Sequence, residues 1–496
     1  MSKSYIKTPT SISYSHLVEK NFTFSPLQYM DFVMPNKNFL YVKDFLSRPL
    51  QRKDLGVEVG SLNYIGKSTH YFLRTKALQQ HSFLPEITNE TALPIMPCSF
   101  VKMNLKKGDL IISKDSNIGE IVILDKDYPN FMLSGALYKL PVIDKKYYLL
   151  AFIKHSIFRE QLDFMVPKGA TIRHAKTMFL DCKIPMPNHN VDNTIKFVEL
   201  LTQAIINKEQ LIKERHESIL QLIEQELLNN QKPNKFKFEL PTIKEIENIG
   251  RLDTGIYSKA FKKNSFLAKN YNKGFSNIYN LEFTLSRGQN LQESNIGKSV
   301  YTDIYFSNFY SLALPTHFSD YGTINKVIYL GNPNELKTLK QGEIIFGAEG
   351  TFRSIVVCSL KDKYITNIHG ITLYNSDLTL SIFVKCYMDY LTNKGVIDCV
   401  KVGGHGGSFA QKYWDIIPFP KFDKSKQNEI ALLYHNPTSN YQADTFTLEN
   451  FLEQDNAFNE TAGIYELDKA AKQLMKILNK AIDDIANDKE VEINFI

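Results

Sequence analysis

A chain of 496 residues makes room for two to four domains at roughly 100–200 residues each, and 43% hydrophobic against 23% charged residues excludes a disordered protein. The net charge of +6, from 59 Lys+Arg and 53 Asp+Glu, permits a nucleic-acid partner without requiring one. Cys98, Cys182, Cys358, Cys386 and Cys399 form no C-x-x-C pair and are odd in number, which argues against a zinc ribbon and a secreted disulfide framework. All five are expected to be reduced and mostly buried. No basic-then-apolar leader opens the chain, and no apolar run approaches the roughly 20 residues of a membrane span. A cytoplasmic protein without membrane contact is the expectation.

Taken in chain order, a first β-rich region, 1–190, carries Leu46-Ser47-Arg48 and then the run LKKGDLIISKDSNIGEIVIL from Leu105. Lys107-Gly108-Asp109 reads as a turn feeding a strand over Asp109–Ser113, followed by a strand over Ile121–Leu124. A helix is predicted over Tyr147–Phe164, then a strand ending in Ile184-Pro185-Met186-Pro187. From Asp192 to Asn229 there is neither Pro nor Gly, and Val198, Ile205, Ile212 and Ile219 recur every seven residues with Leu201 and Leu222 beside them. This central helix and its linker occupy 191–233. Lys208 and Arg215 interrupt the apolar seam.

The region 234–421 repeats the first. Leu285-Ser286-Arg287 follows its counterpart by 239 residues, LKQGEIIFGAEGTFRSIVVC from Leu339 by 234, and Ile417-Pro418-Phe419-Pro420 by 233. Three matches in one order at similar offsets mark a diverged duplication. Gln341-Gly342-Glu343 repeats the turn, and Leu380–Asn393 the helix. In 422–496 a polar connector, His435–Asn459, precedes a C-terminal helix with Leu467, Ala471, Leu474, Leu478, Ala481 and Ile485 at 3–4 spacing. That spacing suits a coiled-coil seam and equally a surface helix packed on its own domain; one such helix after each copy favours the seam.

Catalytic motifs are missing. Gly66-Lys67-Ser68 and Gly297-Lys298-Ser299 lack the upstream Gly of a phosphate-binding loop, where Ser61 and Gln292 stand instead. The run Gly403–Gly407 precedes a strand-like exit rather than a helix, and no Asn-Pro-Pro-Tyr or Asp-Pro-Pro-Tyr accompanies it. Histidines show no metal-ligand spacing, and no carboxylate cluster with a nearby lysine stands out as a nuclease. No catalytic residue and no metal ligand is assigned.

This arrangement resembles the specificity subunit of type I restriction–modification enzymes. The likeness rests on the turn–strand at Lys107–Ile112 and Gln341–Ile345, the glycine-bearing loops Lys168–Thr171 and Gly403–Ser408, the two Ile-Pro-x-Pro exits, and Arg251-Leu252-Asp253…Tyr257 opening the second copy. It covers the chain from about Leu40 onward, and Phe24-Ser25-Pro26…Tyr29 echoes Arg251–Tyr257 only loosely. The resemblance implies an α+β fold: two pseudo-repeated target-recognition domains, each followed by a long helix, the helices pairing as an antiparallel coiled coil. It implies a non-catalytic subunit that recognises a bipartite DNA target. Its partners would be double-stranded DNA, modification (methyltransferase) subunits, two in number, and restriction (helicase-nuclease) subunits. No cofactor is expected in this chain; S-adenosylmethionine and ATP with Mg would sit on the partners. The alternatives are the specificity subunit of a related modification or phage-defence system, and a stand-alone DNA methyltransferase or nuclease.

Base edges are read by Arg or Lys on guanine, Asn or Gln on adenine, and Ser or Thr on either. Loops carrying such residues supply the DNA-binding candidates: Lys67, Ser68, Arg74, Lys76, Lys114, Asn117, Lys168, Thr171 and Arg173 in the first copy, and Arg287, Gln289, Lys298, Thr351, Arg353, His405, Ser408 and Gln411 in the second. Plain solvated surface is the competing reading for each. The helix interface is expected to use Val198, Leu201, Ile205, Ile212, Ile219, Leu467, Leu474, Leu478 and Ile485.

Overall fold

The structure, a computed structural model, describes residues 5–25, 28–166, 174–350, 352–403 and 408–496. Contacts divide the chain into two units: 1–210 with 441–458 and 469–496, and 211–440 with 459–468. The boundary therefore falls inside the central helix, not at its start near 190. The reason lies in the core: Phe197, Val198, Leu201 and Ile205 of that helix belong to the large apolar cluster of the first unit.

In the first unit, Leu110–Ser113 lies between Ile121–Ile123 and Leu137–Leu140, antiparallel to both. Successive side chains of a strand point to opposite faces. Leu110, Ile112, Ile121 and Ile123 enter the large cluster, while Ile111, Val122 and Leu137 enter a second one. Both faces are covered, which is why these strands are written as continuous apolar runs. A second sheet joins Ala92–Pro94, Tyr71–Leu73 and Phe131–Leu133, the last two parallel. Phe39–Tyr41 pairs with Lys183–Pro185 and closes the region between them.

The predicted helix over Tyr147–Phe164 is two helices, Lys146–Lys154 and Ser156–Met165. His155 between them is extended, and its Nδ1 accepts the Ile157 N–H as an N-cap. Burial lowers the His155 pKa to about 4, which keeps the ring neutral and able to accept.

The second unit repeats this frame. Ile344–Gly347 lies between Ser354–Val356 and Gly370–Tyr374, and Thr284–Arg287 extends that sheet. Tyr310–Leu312 runs parallel to Tyr364–Ile365, as Tyr71–Leu73 does to Phe131–Leu133. Phe275–Ser276 pairs with Phe419–Pro420. The helix predicted at Leu380–Asn393 spans Leu378–Asn393.

The duplication reaches individual hydrogen bonds. The Asp109 carboxylate accepts from Lys106 N at 2.7 Å, and Glu343 accepts from Lys340 N at 2.9 Å. Between them Gly108 and Gly342 have φ of 84° and 81°, the left-handed region that glycine enters without strain. At each Pro-x-Pro exit a buried tyrosine of the preceding helix donates to the first proline carbonyl: Tyr148 to Pro185 at 2.7 Å, Tyr387 to Pro418 at 3.1 Å. Tyr148→Phe would leave that carbonyl buried without its donor. A loss of about 1–3 kcal/mol is expected by denaturant unfolding, with Tyr387→Phe showing the same in its own unit.

The repeat also begins earlier than Leu40. Ser13 caps the helix Tyr14–Glu19 and Thr242 caps Ile243–Ile249, each accepting from the backbone N–H three residues on. Tyr29 donates to Thr23 O at 2.6 Å and Tyr257 to Arg251 O at 2.7 Å, both spanning six residues. The loose echo of Arg251–Tyr257 is thus one turn design with different side chains.

The central helix spans Val191–Asn229, about 58 Å at 1.5 Å per residue. All nine residues expected at the helix interface, on it and on the C-terminal helix Ile464–Ala486, are buried, while Leu222 is half-buried. Val198, Leu201 and Ile205 share one cluster with Leu474, Leu478 and Ile485. At the position where the first copy starts its long helix, the second copy has only Lys424–Tyr434. The polar connector that follows is structured. It holds the helix Phe451–Thr461, and its Phe451 stacks on Phe495 with ring centroids 4.3 Å apart. The helix Phe451–Thr461 also supplies partners of both residues that interrupt the seam: Lys208 pairs with Asp455, and Arg215 Nη2 donates to the carbonyls of Asn459 and Glu460.

Candidate nucleic-acid interface

In each unit the central strand of the first sheet runs out into a loop at its C-terminal end. In the first unit Ser113 ends the strand and its Oγ donates to Asp115 O at 2.7 Å. The Lys114 carbonyl accepts from Ala175 N at 2.8 Å, and Asp115 bridges to His174. The loop returns at Gly119, whose φ is +77° and where a Cβ would stand 2.6 Å from Leu162 Cδ2. Only glycine fits there.

The second unit does the same 234 residues later. The Ala348 carbonyl accepts from Phe409 N at 2.8 Å, and Glu349 bridges to Ser408. The loop is anchored from beneath by aromatic rings: Phe346 packs on Phe352, Phe409 and Trp414 at centroid distances of 5.3–6.0 Å. Lys401 Nζ sits 4.4 Å from the Phe352 ring centre.

Of the first-copy candidates, Lys67, Arg74, Lys76 and Asn117 are exposed. Lys76 pairs with Glu90, and Ser68 accepts from His70 N at 3.0 Å within its own turn. Lys114 is half-buried and pairs with Asp115 at 2.5 Å. Lys67, Ser68, Arg74 and Lys76 lie on and beside the strand Tyr71–Leu73, a different sheet from Lys114 and Asn117.

In the second unit Arg287 and Lys298 are exposed. Gln289 has both ends of its amide on the Lys337 backbone, at 2.6 and 3.0 Å. Arg353 binds Asp320 at 2.6 Å and the Phe318 carbonyl at 3.0 Å. These two side chains hold loops together. Ser408 exchanges two backbone bonds with Val402, and Gln411 opens a short helical turn. Lys168, Thr171, Arg173, Thr351 and His405 lie outside the described residues.

The Arg251-Leu252-Asp253 motif is a clamp rather than a reader. Arg251 grips Asp253 with two bonds and the Val400 and Lys401 carbonyls with two more, under the Tyr413 ring. The side-chain bonds from Arg251, with burial working against them, hold the Asp253 carboxyl below the usual range.

Sequence reasoning passed over two acid–histidine pairs, one at each loop. His174 Nδ1 lies 2.7 Å from Asp115 Oδ1, and His369 Nδ1 lies 3.0 Å from Glu349 Oε2. It also passed over Tyr301, Tyr305 and Phe306, exposed beside Lys298. Both were written in the chain as polar or aromatic loop residues, with no spacing to single them out.

The nearest thing to a nuclease constellation is interior. Lys385 Nζ lies 2.5 Å from Asp389 Oδ2, with Ser354 Oγ and His216 Nε2 on the same carboxylate at 3.1 and 3.4 Å. Burial drives the Asp389 carboxyl up, and the charges of Lys385 and His216 outweigh it and hold the carboxyl low. With the lysine fully buried this group cannot meet a phosphodiester. Among the described residues no cluster of three or more His, Cys, Asp or Glu could hold a metal, and no helix is long and apolar enough to cross a membrane. All five cysteines are free, three of them buried.

No family model matches the sequence, and no curated protein does. Solved structures do. The chain aligns with a type I restriction-modification S subunit from M. genitalium at 12% identity and TM-score 0.39, covering 90% of this chain and 95% of that one. A chain from a structure of complex assembly and conformational transition in the type I R-M system aligns at 10% identity and TM-score 0.27, covering 92% and 99%. The HsdS subunit from Thermoanaerobacter tengcongensis aligns at 11% identity and TM-score 0.26, covering 91% and 96%. Along about nine-tenths of its length, the chain is similar to S subunits of type I restriction–modification systems.

Proposed function

We propose that this chain is a non-catalytic specificity subunit that binds duplex DNA at a bipartite target, one half-site to each unit. One observation carries the reading. Two units share a backbone frame down to equivalent hydrogen bonds, yet carry different side chains on equivalent loops: Lys114-Asp115-Ser116 in the first stands where the second has Ala348-Glu349-Gly350. A duplicated binding frame with diverged contact residues suits two readings of different short sequences.

The central and C-terminal helices would pair antiparallel and set the spacing. The burial of all nine predicted seam residues supports this, as does the cluster that Val198, Leu201 and Ile205 share with Leu474, Leu478 and Ile485. Methyl transfer and cleavage would belong to partners: two modification subunits holding S-adenosylmethionine, and restriction subunits using ATP and Mg. The target base would be flipped into the modification subunit's pocket. The complex would work in the cytoplasm.

Phosphate contacts make log K fall linearly with log salt. Binding of the chain with its modification partner to target and scrambled duplexes is expected to show parallel salt slopes, with the target tighter by on the order of 10³-fold or more. Equal affinity for both at every salt would remove the specificity role.

A further inference from the structure

We propose that His174 and His369 are base-reading residues, each oriented by a carboxylate, Asp115 and Glu349. This rests on the DNA-binding function above.

The two carboxylates occupy one position in the duplicated frame, 234 residues apart, each just past the end of the central strand. The histidines do not. His174 comes from the segment that bridges to Asp115, where the second unit has Ser408. His369 comes from the turn before the strand Gly370–Tyr374. Its carbonyl accepts the Ala348 N–H, a bond that Ala136 takes in the first unit from Lys114. Duplication alone would have kept the histidine at one site. Two routes to the same pair at the same loop point to a shared use.

The chemistry of the pair is directional. A carboxylate oxygen takes the Nδ1 hydrogen, and in the tautomer that carries its one hydrogen there Nε2 is an acceptor. The histidine side chains are 58% and 53% exposed. An acceptor held on a fixed ring matches the exocyclic amino group of adenine or cytosine in the major groove. A ring free to turn could offer either nitrogen and would discriminate less. Asp115 and Glu349 are positioning residues in this account.

The test uses the chain with its modification partner and a duplex library randomised across the target. His174→Ala is expected to flatten the preference at one position of one half-site by on the order of 10-fold, leaving the other half-site unchanged. His369→Ala should do the same in the other half-site. Asp115→Ala should flatten the same position as His174→Ala, and Asp115→Asn, which keeps an acceptor for Nδ1–H, should restore it. Loss of affinity with every base preference intact would mean a phosphate contact or a structural role and would overturn the proposal. So would unchanged binding. A parent complex that does not separate target from scrambled DNA would sink the DNA-reading function itself, and this inference with it.

Discussion

Replacing residues 39–185 with the equivalent region of a related chain is expected to exchange one half-site and leave the other intact. The boundaries follow from the strand pair: Phe39–Tyr41 lies antiparallel to Lys183–Pro185, so the exchanged segment enters and leaves at neighbouring points. Such a segment can be substituted without stretching the chain. One contact across the boundary must be kept: the Glu209 carboxylate of the central helix accepts from Phe83 N, Leu84 N and Ser82 Oγ at 2.8–3.2 Å. Each base pair read is worth roughly 1–3 kcal/mol, so a half-site of about three pairs should shift preference by on the order of 10³-fold or more. Sequencing the methylated sites of the hybrid reads this directly. A change in both half-sites would show that the two units do not specify separately.

The largest stability effect is expected at Asp455. Lys208 is fully buried, paired with Asp455, with the rings of Tyr441 and Phe458 5.0 and 5.4 Å from its ammonium. Tyr441 donates to the same carboxylate at 2.8 Å. Burial lowers the Lys208 pKa, and the charge of Asp455 works against that fall. Asp455→Leu would remove the carboxylate that pairs with a buried ammonium, at a cost of about 3–5 kcal/mol. Replacing the pair together with the hydroxyl that meets it is different: Lys208→Met with Asp455→Leu and Tyr441→Phe removes the two charges and the Tyr441 donor and keeps the aliphatic fill. That triple variant is expected within about 1 kcal/mol of the parent, or above it. Denaturant unfolding of the parent, single and triple variants checks both. A single variant as stable as the parent would mean that the lysine finds another partner. A triple variant as stable as the parent would assign the pair to specificity of packing rather than to net stability.

Several features were legible in the chain because they are local. A proline- and glycine-free run with apolar residues every seven positions has one periodic solution, and Val191–Asn229 is helical with its seam buried. A glycine followed by a short acid before an apolar run is a turn with its own cap, and both copies form it. The duplication showed itself because aligned turns need the same residue types wherever they occur. What the periodicity could not supply was partnership across the chain. The Lys208 that breaks the seam, the Arg251 clamp on the 400–401 carbonyls and the His369–Glu349 pair each depend on residues far apart in sequence. A buried charge is tolerable only where the fold brings its counter-charge, and no spacing rule encodes that. Arg353 and Gln289 make the same point in reverse: their side-chain types suit base reading, but tertiary neighbours hold them inside the loops. Residue type determined what each side chain could bond, and only the folded backbone decided which bond it made.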